Sequence, residues 1–236
     1  MNKHRFRHLM LFALVTAGPA EAADLGSPRL PPPAPIYIWT GYYIGGEIGG
    51  GFGTSRKDFS QGTTTNDFTM NGVVGELAAG YNHQFGSIVV GLEGDISASG
   101  IKGTTDCPNQ LFTCGTQNHW LTTGRVRFGY SLDRFMLYVT GGVAGGDVRV
   151  FSGLKSTGGG GVDFTRTEAG WTVGAGLEAA LYSNWTIKAE YLYVQLNDAN
   201  VPSNIGTPTT TKFVENIGRV GLNYKFNWGA PVIAGY

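Results

Sequence analysis

Charge is scarce in this chain. Asp, Glu, Lys and Arg make up 14% of its 236 residues, against about a quarter in soluble domains. The 17 acids balance the 17 bases, so the basic excess of a nucleic-acid binder is missing. Cysteine occurs twice, too rarely for a disulfide-dense scaffold or, alone, a four-ligand zinc site. Past the N-terminal region no apolar run approaches the about 20 residues of a membrane-spanning helix. Proline is nearly absent from the interior, with only Pro108, Pro202 and Pro208 between Ile36 and Ala230. What is plentiful is glycine, with 38 residues, and aromatic side chains, at 12%. An apolar content of 42% excludes wholesale disorder, yet so few charges fit poorly with an ordinary soluble surface.

The N-terminus reads as an address. Lys3, Arg5 and Arg7 precede the apolar run Leu9–Ala17, and Ala20-Glu21-Ala22 supplies a small-residue exit. Basic start, short apolar core and small-residue exit make a secretory signal, with cleavage after Ala22 or Ala23. The run is too short for a membrane anchor. Residues 28–35, PRLPPPAP, then form a stiff extended linker. The expected organisation is a signal peptide at 1–22, a Pro-rich linker at 23–40, a barrel at 41–226 and a tail at 227–236.

Eight alternating runs fill that barrel region: Tyr42–Phe52, Val73–Asn82, Ile88–Ile101, His119–Tyr130, Phe135–Val150, Glu168–Tyr182, Trp185–Asn197 and Val214–Phe226. Period two is the strand signature. The runs match or slightly exceed the about 9–11 residues of a membrane-crossing strand. The connections alternate too. His83–Ser87, Ser131–Arg134 and Ser183-Asn184 are short. Gly53–Gly72, Lys102–Asn118, Phe151–Thr167 and Asp198–Phe213 are long. Alternating short and long links gather the long loops at one end, the pattern of outer-membrane barrels. The expected fold is all-β, an eight-stranded antiparallel up-and-down transmembrane β-barrel. Its termini face the periplasm and four long loops face outside.

One face of each run is apolar and the other carries the charges. The charged face holds Glu47, Glu76, Glu93, Asp95, Glu178 and Glu190 against Arg125, Arg127, Lys188, Arg219 and Lys225. A soluble ligand-binding barrel would turn the apolar face inward. Trp120, Tyr130, Trp171 and Trp185 near the stripe ends favour the opposite sense, as interfacial girdles do. The near balance of acids and bases suits an internal ion-pair network, because an unpaired buried charge costs several kcal/mol.

The stretch WTGYYIGGEIGGGFG (39–53) resembles the opening strand of the small outer-membrane immunogenic proteins of alphaproteobacteria. That family falls within the eight-stranded outer-membrane β-barrel superfamily, often labelled porin family. NIGRVGLNYKF (216–226) resembles its closing strand. Val220, Leu222, Tyr224 and Phe226 resemble the signal read by the barrel-insertion machinery, although the chain continues past Phe226 with NWGAPVIAGY. The resemblance implies no catalytic residues. It implies roles in envelope integrity and surface antigenicity, and less directly in diffusion of small solutes.

Candidate chemistry is sparse. Cys107 and Cys114 in the second long loop suit a disulfide in a secreted chain. His83 and His119 fall at opposite ends of the expected barrel, and no His–Cys cluster points to metal. Gly174–Ala179 mimics the dinucleotide fingerprint, but strand alternation runs through it where a helix should begin. No enzyme, cofactor or metal is expected. The reading is a structural, surface-exposed outer-membrane protein, with a narrow porin as the alternative and a soluble periplasmic barrel as a third. An eight-stranded interior is just wide enough to be filled by side chains, which weighs against an open pore. Expected partners are outer-membrane lipid and lipopolysaccharide, the barrel-insertion machinery, and host or phage surface ligands.

Overall fold

The computed structural model describes residues 37–60, 62–201 and 209–226. The signal peptide at 1–22, the Pro-rich segment at 28–35 and the tail at 227–236 lie outside the described residues. The chain forms ten antiparallel strands: β1 (Gly41–Phe59), β2 (Phe68–Phe85), β3 (Ile88–Ser99), β4 (Lys102–Asp106), β5 (Phe112–Gln117), β6 (Trp120–Leu132), β7 (Phe135–Leu154), β8 (Asp163–Ala180), β9 (Trp185–Val201) and β10 (Thr209–Lys225). Eight of them close a ring in the order β1-β2-β3-β6-β7-β8-β9-β10, with β10 returning to β1. These eight contain the eight alternating runs.

Closure satisfies the backbone, because an unpaired strand edge has no hydrogen-bond partner in lipid. The outward side chains are apolar around the ring. Ile48 is 71% exposed, Val73 77% and Leu77 68%, and Leu92, Val126, Leu137, Val173 and Val220 share that face. The inward positions hold the charges. A soluble barrel would reverse this arrangement. Trp185 and Tyr224 stack at the end where β1 begins and β10 ends, and Trp171 and Tyr193 stack toward the other.

The strands are longer than the alternation indicates. An 18-residue strand such as β2 is nearly twice the about ten residues a crossing needs. The excess lies at the end opposite the tight turns at Gly86, Asp133 and Ser183, which take positive φ. There the outward residues become polar, as Arg56 and Asp58 do beyond Phe52. Segments expected as loops therefore continue as strand.

The second long loop is also mostly strand. Residues 102–118, expected as a connection, fold into the hairpin β4–β5. It stands above the short strands β3 and β6 and joins β2 to β7. Among the described residues the outer part is thus two leaves, β2-β1-β10-β9 and β4-β5-β7-β8. The leaves separate where pairing stops. β2 meets β4 only at Asn71↔Lys102, and the β8–β9 ladder ends at Gly170↔Leu196.

Candidate functional site

The lumen is built in three tiers. At the end where β1 begins the chain enters through Tyr37–Thr40, and Trp39 folds into the barrel mouth. Its indole N–H donates to the Asp133 carbonyl at 3.2 Å and its backbone N–H donates to Gln84 Oε1 at 2.7 Å. Tyr37 packs edge-on against it, and Val89, Met136 and Tyr138 complete an apolar stopper.

The middle tier is ionic. Arg125 donates to Asp95 at 2.9 Å and to Glu190 at 2.5 Å, and also pairs with Glu93. Arg127 lies 2.7 Å from Glu178 and 3.3 Å from Glu93. Its guanidinium sits 4.0 Å from the Tyr138 ring centroid and 5.5 Å from that of Tyr43. Lys188 bridges Glu47 at 2.5 Å and Glu93 at 3.1 Å. Arg219 meets Glu47 at 3.0 Å, Glu190 at 2.6 Å, Asp95 at 3.9 Å, and Glu76. The side chains of Arg125, Lys188, Glu47 and Glu93 have zero exposure.

Four cations face six carboxylates here, and neutral donors take up the surplus acceptor capacity. Tyr43 donates to Glu93 and Tyr138 to Glu190, each at 2.7 Å. Thr123 donates to Asp95 at 2.5 Å, and Ser97 to Glu76 at 3.2 Å. Thr186 and Asn223 both donate to Glu178, at 2.5 and 2.9 Å. None of these six neutral donors is flagged by charge in the sequence. Their signal is inward parity for five of the six, since Tyr43, Ser97, Thr123, Thr186 and Asn223 each lie an even number of residues from a charged inward neighbour on the same strand, whereas β7 offers Tyr138 no such neighbour. Two glycines make room for the tyrosines: a Cβ at Gly80 would meet the Tyr43 hydroxyl, and one at Gly176 the Tyr138 hydroxyl.

Lys225 does not join the network in which the charged face placed it. It is the last residue of β10, below the ionic tier. Its ammonium donates to the Ile38 carbonyl and lies 4.5 Å from the Tyr37 ring centroid. It fastens the entering chain instead.

The upper tier is apolar. Met70, Ile101, Leu121, Val148, Val150, Leu192, Leu196, Phe213 and Ile217 pack across the interior from both leaves. Within it Glu215 is fully buried, and neither of its carboxylate oxygens has a hydrogen-bond partner. Beyond the apolar band Lys57 reaches from β1 to the opposite leaf. Its ammonium donates to the carbonyls of Gly115 at 2.7 Å and Phe151 at 3.2 Å. Ser55 and Thr116 share a second cross-lumen bond at 3.1 Å. Burial without a carboxylate partner pulls the Lys57 amine down to about 7. Lys57 does not stand out in the sequence, because it belongs to a stretch read as a loop, whereas Glu215 shares the charged face of the last run with Arg219 and Lys225.

Cys107 and Cys114 are bonded to each other across the β4–β5 tip. Val220 and Leu222 face outward, while Tyr224 stacks between Trp185 and Phe226. His119 pairs with Asp147 at 2.6 Å at an outer strand end. Among the described residues no group of three or more metal-ligating side chains converges.

Residues 10–226 match the family model of the outer membrane protein beta-barrel domain. The chain is 36% identical to the 31 kDa outer-membrane immunogenic protein of Brucella melitensis biotype 1, over 92% of this chain and 98% of that one. It is 32% identical to the 25 kDa outer-membrane immunogenic protein of the same organism, over 88% and 91%. It is also 32% identical to the 22 kDa outer membrane protein of Rhizobium leguminosarum bv. viciae, over 83% and 82%.

Proposed function

Since the chain belongs to the outer membrane protein beta-barrel domain family, we propose that it works as a sealed structural barrel of the outer membrane that carries a folded cap outside the cell. Its place in the outer membrane and its exposure at the surface follow from the family and the relatives. The sealed, structural role is the further step. One observation carries it: the lumen is filled at three successive levels, by an aromatic stopper, a dry ion-pair network and an apolar plug. A diffusion pore needs a continuous wet path, and the zero exposure of the ionic side chains supports a closed one.

In this reading the barrel has no catalytic step and no cofactor. The cap, built from the outer halves of β1, β2 and β7–β10 with the β4–β5 hairpin, supplies the surface that antibodies, hosts or phages meet. The likeness to relatives named as immunogenic supports that assignment. The outer side chains of the ring contact lipid, with lipopolysaccharide in the outer leaflet. The end of β10 and the residue that follows it carry the insertion signal in Val220, Leu222, Tyr224 and Phe226.

The test is single-channel recording on the refolded mature chain in a planar bilayer, with folding checked by heat-modifiable gel mobility. A folded, inserted and silent barrel is the expected result. Reproducible conductance steps would overturn the sealed reading in favour of a narrow porin.

A further inference from the structure

The upper tier holds one carboxyl that its surroundings leave without a partner. Glu215 points inward from β10 between Phe213 and Ile217, and it is fully buried. Its register partners are Gly53 on β1 and Val194 on β9, so neither neighbouring strand sets a polar side chain beside it. Among the described residues no donor reaches either of its oxygens. Its level lies past Phe52, where the outward side chains of β1 turn polar, so it belongs to the outer part of the molecule.

The charges around it are committed elsewhere. Arg219 on the same strand binds Glu47 of β1, Glu76 of β2 and Glu190 of β9 in the ionic tier below. Asp95 of β3 and Arg125 of β6 pair in that tier too. Lys57 of β1 is held higher up by carbonyls of the opposite leaf. Glu168 of β8 pairs with Arg166. From β7 the Asp147 carboxylate acts on Glu215 with like charge, and His119 is bound to that same carboxylate. An isolated ion in apolar surroundings costs far more than the neutral acid. Burial, with the Asp147 charge second, pushes the Glu215 carboxyl up to about 8.

The position gives that proton something to control. Glu215 stands on the leaf β2-β1-β10-β9 and Asp147 on the leaf β4-β5-β7-β8, and the apolar plug packs between them. Among the described residues the two leaves share few backbone pairings. β2 meets β4 at Asn71↔Lys102, and the β8–β9 ladder ends at Gly170↔Leu196. An ionised Glu215 sets two like charges across this junction and draws water into it.

We propose that Glu215 is a proton-operated latch of the outer cap: with its proton on, the two leaves close dry over the plug, and with the proton lost they part and admit water. The latch deepens the sealed reading above and rests on it. The ionic tier and the Trp39 stopper lie below and stay shut in either state, so the latch changes the outer surface and not the flow through the barrel. The open form releases the proton at the ordinary 4.5, the closed form at about 8. Opening therefore sheds a proton between those limits and grows more frequent as pH rises, by up to about tenfold per pH unit, then levels. Lys57 has the opposite sign, because burial favours its neutral form by lowering its value.

The experiment uses the refolded mature chain in lipid nanodiscs with Ala144→Cys, a small change at a buried plug position, while Cys107 and Cys114 stay bonded to each other. A water-soluble thiol reagent is the probe. Its labelling rate is divided by that of the unfolded chain at the same pH, which removes the thiol's own titration. The ratio is expected to rise along the curve above and to level past pH 8. Adding Glu215→Gln, which keeps the shape and cannot ionise, should leave the ratio low and flat. Glu215→Leu serves the same purpose should the Gln variant not fold. A flat ratio in the chain with Glu215 intact overturns the latch, and so does a rise that persists in either folded variant. Bilayer recordings on both sides of pH 8 separate the two readings. Conductance at any pH overturns the sealed reading on which the latch rests, and silence with a flat labelling curve overturns the latch alone.

Discussion

Arg219 shows how closely the ionic tier depends on single side chains. It faces carboxylates from β1, β2, β3 and β9 at once: Glu47, Glu76, Asp95 and Glu190. Removing one partner of a buried pair leaves an uncompensated charge, so Arg219→Ala should destabilise the barrel by about 3–5 kcal/mol. The fall in urea midpoint of the heat-modifiable form measures it, and an unchanged midpoint would place those acids in water. Lys57 makes a prediction in pH. The closed cap holds its amine at about 7, down from 10.5, while an opened cap restores the higher value. Between those limits the closed cap has released a proton that the open one keeps. Opening therefore takes up a proton and becomes rarer as pH rises, by up to about tenfold per pH unit. Below pH 7 the dependence flattens. The amide protection factors at 55–58, with the intrinsic base-catalysed rise in exchange divided out, should grow along that curve in the native chain and lose the dependence in Lys57→Met. The residues of the ionic tier were legible because charge at inward parity is visible in a string of letters. Tyr43, Ser97 and Asn223 were not, since a hydroxyl or amide carries the same letter in a loop, and Lys225 had the right parity at the wrong height.

At the scale of strands, legibility followed the lipid. Where one face of a strand meets hydrocarbon and the other meets charges, the period of two is plain, and the eight ring strands were found there. Above the membrane both faces are polar or mixed, as in Thr54–Phe59 and Asp163–Thr167, and the alternation disappears although the strand continues. The β4–β5 hairpin was lost for the same reason. KGTTD and FTCGTQ are short and rich in Gly and Thr, so only the cysteines marked the site. The Cys107–Cys114 bond closes a small loop at the tip of that hairpin. Cross-linking a loop this short stabilises by about 2–3 kcal/mol in the chain-entropy account, but the gain is local. The double variant Cys107→Ser, Cys114→Ser should therefore become open to protease between 107 and 114 while its gel shift stays that of a folded barrel. Loss of the gel shift instead would make the hairpin part of the barrel's own stability.

At the scale of the whole molecule, the three tiers act in series, and a series is only as open as its tightest member. The stopper hangs from β2 and the β6–β7 turn through Trp39. The ionic tier ties strands from every side of the ring. The apolar plug joins the two leaves, which share few backbone pairings. Trp39→Ala should empty the mouth and leave the two tiers above it intact, because Tyr138, the one side chain that the stopper shares with the ionic tier, stays held by its bond to Glu190 and by the Arg127 guanidinium. A bilayer recording of that variant is expected to stay silent, while the indole's removal shows as faster exchange at Gln84 and Asp133. Conductance in Trp39→Ala alone would mean that the stopper is the real seal and that the dry ionic tier admits water once the mouth is open. That result would turn the fixed charges of Arg125, Arg127, Lys188 and Arg219 from structural ties into the lining of a gated path.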